Sequence, residues 1–328
     1  MSFKIIGDSC TDPVPGLKDA PEYAMVPLII RIGNQEYVDN GMLTTEDLVA
    51  RMAASPEGTG TACPAPQWYM DAFEGADEVY VVTLSAELSG SYNSAVQARD
   101  IYLEEHPEKK IHVFNSHSAS AGQSALLIKL FELCRAGLPF EQVIEEMDHF
   151  IAHLTTLFVL ENLDNLRKNG RLSEVQALIT GTLHIKLVME GTPAGTIRKV
   201  SQALSVKQAL ARLADAAAEK AKKHGIEGRT LVISHCNCPD RAVYVRNLLF
   251  KKLPFTQVEM VRTGGISTVY AGDGGVVVAF LAGVQNRIRD RFCAVPGEEK
   301  EGLRAFFFHC FGTSLHKVLK GCGNIQND

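Results

Sequence analysis

Six hydroxyl side chains fall within thirteen positions in the segment TLSAELSGSYNSA, residues 83–95. This segment follows the apolar run EVYVV and leads into a helical pattern, so it is predicted to be a strand-to-helix turn. Its hydroxyl-bearing residues are Thr83, Ser85, Ser89, Ser91, Tyr92 and Ser94. Hydroxyls at such a turn suit three kinds of chemistry: a nucleophile, a phosphate cradle or a carboxylate clamp.

The common signatures of the first two chemistries are absent from the sequence. An α/β-hydrolase nucleophile requires G-x-S-x-G, whereas Ser91 directly follows Gly90 and no glycine follows at the required offset. The sequence has no Gly-Lys pair for a Walker loop and no H-E-x-x-H zinc motif. What remains is a helix start, whose free N–H groups attract an anion and whose hydroxyls add donors. A plainer interpretation, in which Ser89 only caps the helix, stays open at this stage.

The overall composition argues against several classes of partner. The formal net charge is −5, whereas nucleic acids and anionic membranes favour basic proteins. No apolar run approaches the roughly 18–20 residues of a membrane span, so we expect no stable membrane insertion. The eight scattered cysteines are too few for a disulfide scaffold, so we expect reduced thiols and a cytoplasmic protein. The segment HCNC (235–238) lacks a second ligand pair at zinc spacing, so we expect neither a metal nor a cofactor.

Short runs rich in Val and Ile alternate with longer amphipathic stretches along the chain. Apolar runs predict strands at 3–7, 79–84, 111–115, 230–234, 258–262 and 276–280. Helical periodicity predicts helices at 44–54, 66–76, 92–106, 124–137, 139–154, 173–183, 205–225 and 239–253.

Strands that are apolar on both faces and separated by helices indicate a parallel sheet covered on both sides. We therefore predict an α/β protein with two α/β domains. Residues 1–157 would form an N-terminal, Rossmann-like parallel-sheet domain, and residues 158–284 a C-terminal α/β domain. Residues 285–328 show no sustained period and form an appended segment whose order the sequence does not predict. A cleft between the two domains is the expected place for a ligand.

Several stretches, in order from residue 3 to about 282, together resemble the DegV family of fatty-acid-binding proteins. They are IIGDSCTDPVPG (5–16), TGTACPAPQWYMDAF (59–73), LSAELSGSYNSA (84–95), VFNSHSASAGQSALL (113–127), ENLDNLRKNGRLSEVQALITGTLHIKLVME (161–190) and GGISTVYAGDGGVVVAF (264–280). The resemblance implies that one long-chain fatty acid lies in a tunnel between two α/β domains. It also implies a separate ATP-dependent fatty acid kinase as partner, which phosphorylates the bound carboxylate for phospholipid synthesis. The chain itself would be a carrier and not an enzyme.

The resemblance also implies which residues hold the carboxylate. Thr61 and Ser89 match the family residues that contact it, and Tyr270 stands where the family has a histidine. Tyr270 provides one hydroxyl donor at that place. The neighbours that would complete the clamp are Ser85, Gly90 and Ser91. Segments 61–66 and 83–95 contain no Lys or Arg, so the predicted clamp consists of neutral donors or has a carboxylate whose pKa is raised by burial.

Two segments, NLRKNGRLS (165–173) and TIRKV (196–200), carry clustered basic residues. One interpretation is a solvated basic surface, because exposed charges usually serve solubility. The other is a docking patch for the kinase or its ATP phosphates. The residues concerned are Arg167, Lys168, Arg171, Arg198 and Lys199.

Two other functions stay open from the sequence. The first is a serine hydrolase or acyltransferase that uses Ser89 or Ser91, with His117 as a candidate base. The second is a lipid-sensing regulatory protein that binds the same ligand without a kinase. The length and unsaturation of the fatty acid, and the oligomeric state, are not predicted.

Overall fold

The computed structural model describes residues 2–161, 163–172, 185–226 and 230–281. The strands in these ranges are β1 (Phe3–Asp8), β2 (Tyr23–Val26), β3 (Ile29–Ile32), β4 (Gln35–Val38), β5 (Thr59–Ala62), β6 (Glu78–Thr83), β7 (Lys110–Asn115), β8 (Leu154–Val159), β9 (Lys186–Gly191), β10 (Ile197–Ala203), β11 (Thr230–His235), β12 (Gln257–Arg262) and β13 (Val276–Leu281). The helices are α1 (Thr45–Ala54), α2 (Pro66–Phe73), α3 (Ser91–Glu105), α4 (Ala121–Arg135), α5 (Phe140–His153), α6 (Asp164–Lys168), α7 (Val206–His224), α8 (Pro239–Lys252) and α9 (Gly265–Ala271).

The first sheet is parallel, with the strand order β2-β1-β6-β7. Successive residues of one strand pack in different hydrophobic cores, because their side chains point to opposite faces of the sheet. Ile5 and Tyr80 pack with α4 and α5, whereas Ile6 and Val81 pack with α2 and α3. This two-sided burial confirms the predicted parallel sheet of the N-terminal half.

The second sheet is mixed, with the strand order β10-β9-β8-β13-β11-β12. Only the pairing of β11 with β12 is parallel within this sheet. One face packs on α7 and α8, and the other faces α4 of the first half. The sheet begins at Leu154, which pairs with Leu281, so the expected boundary after residue 157 falls inside β8. The helix predicted at 173–183 and the appended segment 285–328 lie outside the described residues.

A third, small antiparallel sheet, ordered β4-β3-β5, packs against α1 and α9. None of the strands predicted from the sequence corresponds to it. Its core is formed by Ile30, Leu48, Ile266 and Val269. This sheet matters for function because β5 carries Thr61 and α9 carries Tyr270.

Helix α4 joins the two larger sheets into one core, since it contacts β1 and β6 of the first and β11 and β13 of the second. Leu126, Leu127, Leu130 and Phe131 on this helix are buried. None of the described helices has both the length and the apolar character needed to cross a membrane.

Candidate functional site: a cavity between the sheets

A cavity of about 850 Å³, including its open mouth, lies where the three sheets meet. The loops that follow β6 and β7 supply Ser89 and His117 to the wall. They do so because the carboxyl ends of parallel strands share one edge of a sheet.

Most of the wall is apolar, and the side chains come from both halves of the chain. The aliphatic and aromatic lining residues are Leu28, Leu84, Leu88, Phe158, Leu160, Leu166, Ile197, Ile266 and Val277. Cys10 also lines the cavity, and burial raises the pKa of its thiol well above the ordinary value. Its sulfur is therefore a neutral, weakly polar part of the wall at neutral pH.

One part of the wall combines hydroxyls with a cation. Thr61 Oγ1 lies 2.7 Å from the hydroxyl oxygen of Tyr270. The guanidinium carbon of Arg171 lies 6.0 Å from the centre of the Tyr270 ring. Ser89 lines the same cavity. Three of the predicted carboxylate residues thus line one cavity, along with Arg171, for which the sequence predicts either a solvated basic surface or a kinase-docking patch.

The turn that follows α6 positions Arg171. Gly170 has φ +76°, a left-handed conformation that glycine adopts at little cost, and the Arg171 N–H donates to Leu166 O at 2.8 Å. The guanidinium donates from Nε to Leu88 O at 3.0 Å and from Nη1 to Asn169 O at 2.6 Å. A guanidinium has five N–H donors, and three of them have no acceptor among the described residues.

The Asn169 side chain connects this turn to the small sheet, since its Nδ2 donates to Thr59 O at 2.8 Å. Arg171 is therefore fixed relative to both β5 and the loop after β6. Among the described residues that line the cavity, it is the only Lys or Arg. A carboxylate beside it would gain charge-assisted hydrogen bonds, which are roughly twice as strong as neutral ones.

The three remaining predicted clamp residues do not line the cavity. Ser85 is buried, and its hydroxyl donates to Gly195 O at 2.8 Å. Gly90 is exposed and is the N-cap of α3. Ser91 is fully buried, and its hydroxyl donates to Asp8 Oδ2 at 2.7 Å. The Ser89 hydroxyl accepts from the Ser91 N–H at 3.2 Å, so Ser89 also supports the helix start.

Asp8 is a buried hydrogen-bond acceptor for the hydroxyl-rich turn. Its buried carboxylate accepts hydrogen bonds from Leu84 N at 2.8 Å, Gln123 Nε2 at 2.9 Å and Cys10 N at 3.2 Å, as well as from Ser91. Burial raises the pKa of Asp8, and these four donors partly offset that effect. Several hydroxyls of the segment 83–95 thus serve structure, and Ser89 alone among them reaches the cavity wall.

The other basic residues of the predicted docking patch lie outside the cavity wall. Arg167 is 3.6 Å from Asp164 on α6, and Lys168 is exposed. Arg198 on β10 pairs with Glu190, and Lys199 donates to Gln202 Oε1 at 2.6 Å.

For the hydrolase alternative, the Ser91 hydroxyl has no histidine partner among the described residues. The Ser91 hydroxyl is also 2.7 Å from the Tyr69 hydroxyl, so both of its neighbours are oxygen groups. His117 Nδ1 has no hydrogen-bond partner among the described residues. The same residues contain no group of three or more His, Cys, Asp or Glu arranged to hold a metal ion.

Comparison with known proteins gives the family of the chain. The DegV family model, described as "Uncharacterised protein, DegV family", matches residues 2–283. A DegV domain-containing protein of Streptococcus gordonii is 36% identical over 286 residues, which cover 86% of this chain and 100% of that protein.

Two solved structures are similar in fold and sequence. A DegV family protein from Ruminococcus gnavus, refined with vaccenic acid, has a TM-score of 0.81 and 44% identity, covering 85% of this chain and 99% of that one. The Fak B3 fatty acid kinase protein of Streptococcus pneumoniae, loaded with linoleic acid, has a TM-score of 0.77 and 34% identity, covering 86% and 100%. These findings confirm the resemblance and the predicted α/β architecture. The chain belongs to the DegV family.

Proposed function

We propose that this protein binds one long-chain fatty acid non-covalently in the cavity and presents the carboxylate to a separate fatty acid kinase. The observation that carries the proposal is a largely apolar cavity with Thr61, Tyr270, Ser89 and Arg171 gathered in its wall. Two relatives that are at least 34% identical were solved with vaccenic acid and linoleic acid bound.

The tail supplies most of the binding free energy in this proposal. Burial of a methylene contributes about 0.8 kcal/mol, so about fifteen methylenes contribute on the order of 12 kcal/mol before the entropy cost of association. The carboxylate then sets the direction in which the acid lies, because it is the group that Arg171 and the hydroxyls can pair.

Mass spectrometry of the purified protein tests the carrier against the acyl-enzyme. A non-covalent adduct of fatty acid mass, present under native conditions and lost on denaturation, supports the carrier. A mass increase that survives denaturation, or turnover of an ester, supports a hydrolase or acyltransferase that uses Ser89 or Ser91. Protein without any lipid adduct after incubation with hexadecanoic or octadecenoic acid contradicts the proposal.

Transfer to a kinase is the second part of the proposal, and the Fak B3 name of one relative supports it. The ATP that a kinase requires, and the five free cysteines of the described residues, support a cytoplasmic location. ATP-dependent formation of acyl phosphate on the lipid-loaded protein tests this step. A lipid-sensing regulatory protein would bind the acid but would give no acyl phosphate in this assay. The kinases used are fatty acid kinases from species that encode DegV proteins.

The docking surface for that kinase is proposed to include Arg167, Lys168, Arg198 and Lys199, all of which lie outside the cavity wall. Charge complementarity mainly raises association rates, so reversal of one charge should weaken the complex in low salt. A pull-down in which Lys199→Glu captures the kinase as well as the unmodified protein would remove this surface from the proposal.

A further inference from the structure

The fatty acid cavity is not the only large cavity in the described part of the chain. A second one, of about 830 Å³ including its open mouth, lies beside it. Its outer wall includes His153, Thr155, Thr192 and Lys220, so it is more polar than the first. The two cavities have four wall residues in common: His117, Ser118, Thr156 and Gly191.

The shared wall contains none of the residues that surround Arg171. Thr61, Arg171 and Tyr270 line the first cavity and do not line the second. A carboxylate paired with Arg171 would therefore direct its tail toward other parts of the wall. One of those parts is the shared wall, which is polar.

The shared wall has hydrogen-bonding groups that have no partner among the residues that the structure describes. Ser118 Oγ and Thr156 Oγ1 are 2.8 Å apart and buried. One of these hydroxyls donates to the other, so the second hydroxyl hydrogen has no acceptor among the described residues. His117 Nδ1 is buried and has no hydrogen-bond partner among the described residues. Buried polar groups are usually paired, so these groups indicate a polar partner.

Two glycines allow the shared wall to take this form. A Cβ on Gly122 of α4 would lie 1.9 Å from Ser118 Oγ and 2.7 Å from Thr156 Oγ1, which no side chain tolerates. Gly195 has φ +87°, and a Cβ there would lie 3.1 Å from His117 Nδ1. The backbone thus approaches closely at both places and leaves room for the polar side chains.

We propose that His117, Ser118 and Thr156 form a second polar subsite, which binds a hydroxyl group on the distal part of the acyl chain. The ligand class would then include hydroxy fatty acids. The inference rests on the proposed function, since it requires the carboxylate to lie near Arg171. A saturated tail that ended at this wall would cover polar groups without pairing them, whereas a hydroxyl would pair with them.

Binding of a positional series tests the subsite. The probes are hexadecanoic acid and its 10-, 12- and 16-hydroxy derivatives, each titrated against delipidated protein. We expect at least one hydroxy acid to bind within threefold of hexadecanoic acid or more tightly. An apolar wall would instead weaken all of them by about 5- to 150-fold, because a hydroxyl would be buried unpaired.

Variants then locate the effect. Thr156→Val and Ser118→Ala should each weaken binding of the favoured hydroxy acid by about tenfold while hexadecanoic acid changes less than threefold. If either variant folds poorly, His117→Phe replaces it in the same titrations, with the same expected result. The matched control is Thr263→Val, because Thr263 Oγ1 makes a similar buried pair with Thr268 Oγ1 at 2.8 Å outside both cavities.

Two results overturn the subsite: every hydroxy acid binds more than threefold worse than hexadecanoic acid, or the variants weaken both ligands equally. Failure of the protein to bind hexadecanoic acid or any of its derivatives is a separate result, which removes the proposed function itself.

Discussion

The hydroxyl oxygen of Tyr270 lies 2.7 Å from Thr61 Oγ1, and this pair joins α9 to β5 in the wall of the cavity. The two residues are 209 positions apart in the sequence. Their contact brings a residue of the C-terminal half onto the small sheet of the N-terminal half. Because one of these hydroxyls donates to the other, a carboxylate placed beside them would meet one remaining hydroxyl donor, which its partner holds in place.

Tyr270→Phe should therefore weaken fatty acid binding by about tenfold. The substitution keeps the ring beside Arg171 and removes one hydrogen bond, and a bond to a charged group contributes about 1.5–3 kcal/mol. Isothermal titration of the delipidated protein with hexadecanoic acid measures the change. Tyr37→Phe is a matched control, because the Tyr37 hydroxyl is also hydrogen-bonded but lies outside the cavity wall. Equal affinities for Tyr270→Phe and the unmodified protein would contradict a role for the hydroxyl.

Arg171→Ala separates the two functions considered for this residue. As a carboxylate partner, Arg171 should contribute a charge-assisted bond, so its loss should weaken fatty acid binding by about 10- to 100-fold. As a docking residue, it should affect only capture of the kinase. Lys251→Ala is the control, since Lys251 is exposed on α8 and belongs neither to the cavity wall nor to the proposed docking surface. Unchanged lipid affinity combined with lost kinase capture would return Arg171 to the docking surface.

Ser91→Ala should destabilise the fold but leave lipid affinity within about threefold. Ser91 is buried and donates to the carboxylate of Asp8, so its removal leaves a buried acceptor with one donor fewer, at a cost of about 1–3 kcal/mol. Urea denaturation measures the free energy of unfolding. Ser89→Ala should show the converse, with a smaller loss of stability and weaker fatty acid binding. A Ser91→Ala protein of normal stability that has lost an esterase activity would instead support the enzyme.

The sequence predicts the main strands well because their apolar runs determine them. The runs at 3–7 and 276–280 are almost entirely apolar and are buried on both faces, and the structure gives β1 and β13 there. The small sheet was missed because Thr59–Ala62 has the sequence TGTA, which has neither an apolar run nor alternation. Its strand pairing depends on Ile29–Ile32, which only the folded chain places beside it.

The candidate site was predicted in part for a similar reason. The family resemblance located Thr61, Ser89 and Tyr270, which line the cavity. Spacing along the chain does not show that the turn at Gly170 directs Arg171 to Leu88 O, 83 positions away. Nor does it show that Asp8 engages the Ser91 hydroxyl, also 83 positions away. Long-range contacts of this kind decide which hydroxyls are available to a ligand.

Asp39 links the pH dependence of stability to the helix that carries Tyr270. Its carboxylate accepts from Ile266 N at 3.0 Å, in the first turn of α9. The contact is close, since a Cβ on Gly265 would lie 2.0 Å from Asp39 Oδ1. Burial raises the pKa of Asp39 from 3.8 to about 6, hydrogen bonds from Ser9 and Ile266 oppose the rise, and the nearby Asp12 and Asp8 add to it.

Between about pH 4 and pH 6 the folded protein therefore retains a proton on Asp39 that the unfolded chain has released. The free energy of unfolding should fall as the pH rises through this window. Asp39→Asn removes this contribution but keeps an oxygen that can accept from Ile266 N. Relative to the unmodified protein, the variant should gain about 2.4 kcal/mol between pH 4 and pH 7.5, since about 1.8 units of the pKa difference act within this range and each pKa unit corresponds to about 1.36 kcal/mol.

Urea denaturation at pH 4, 5.5 and 7.5 measures this change, with Asp19→Asn as the control because Asp19 is exposed. Asp8 and Asp12 also have raised pKa values from burial, so both proteins should still lose stability as the pH rises. The test is therefore the difference between the two proteins at each pH. If the difference in unfolding free energy stays constant from pH 4 to pH 7.5, Asp39 does not titrate in this window. The hydrogen bond from Ile266 N to Asp39 would then be insensitive to pH.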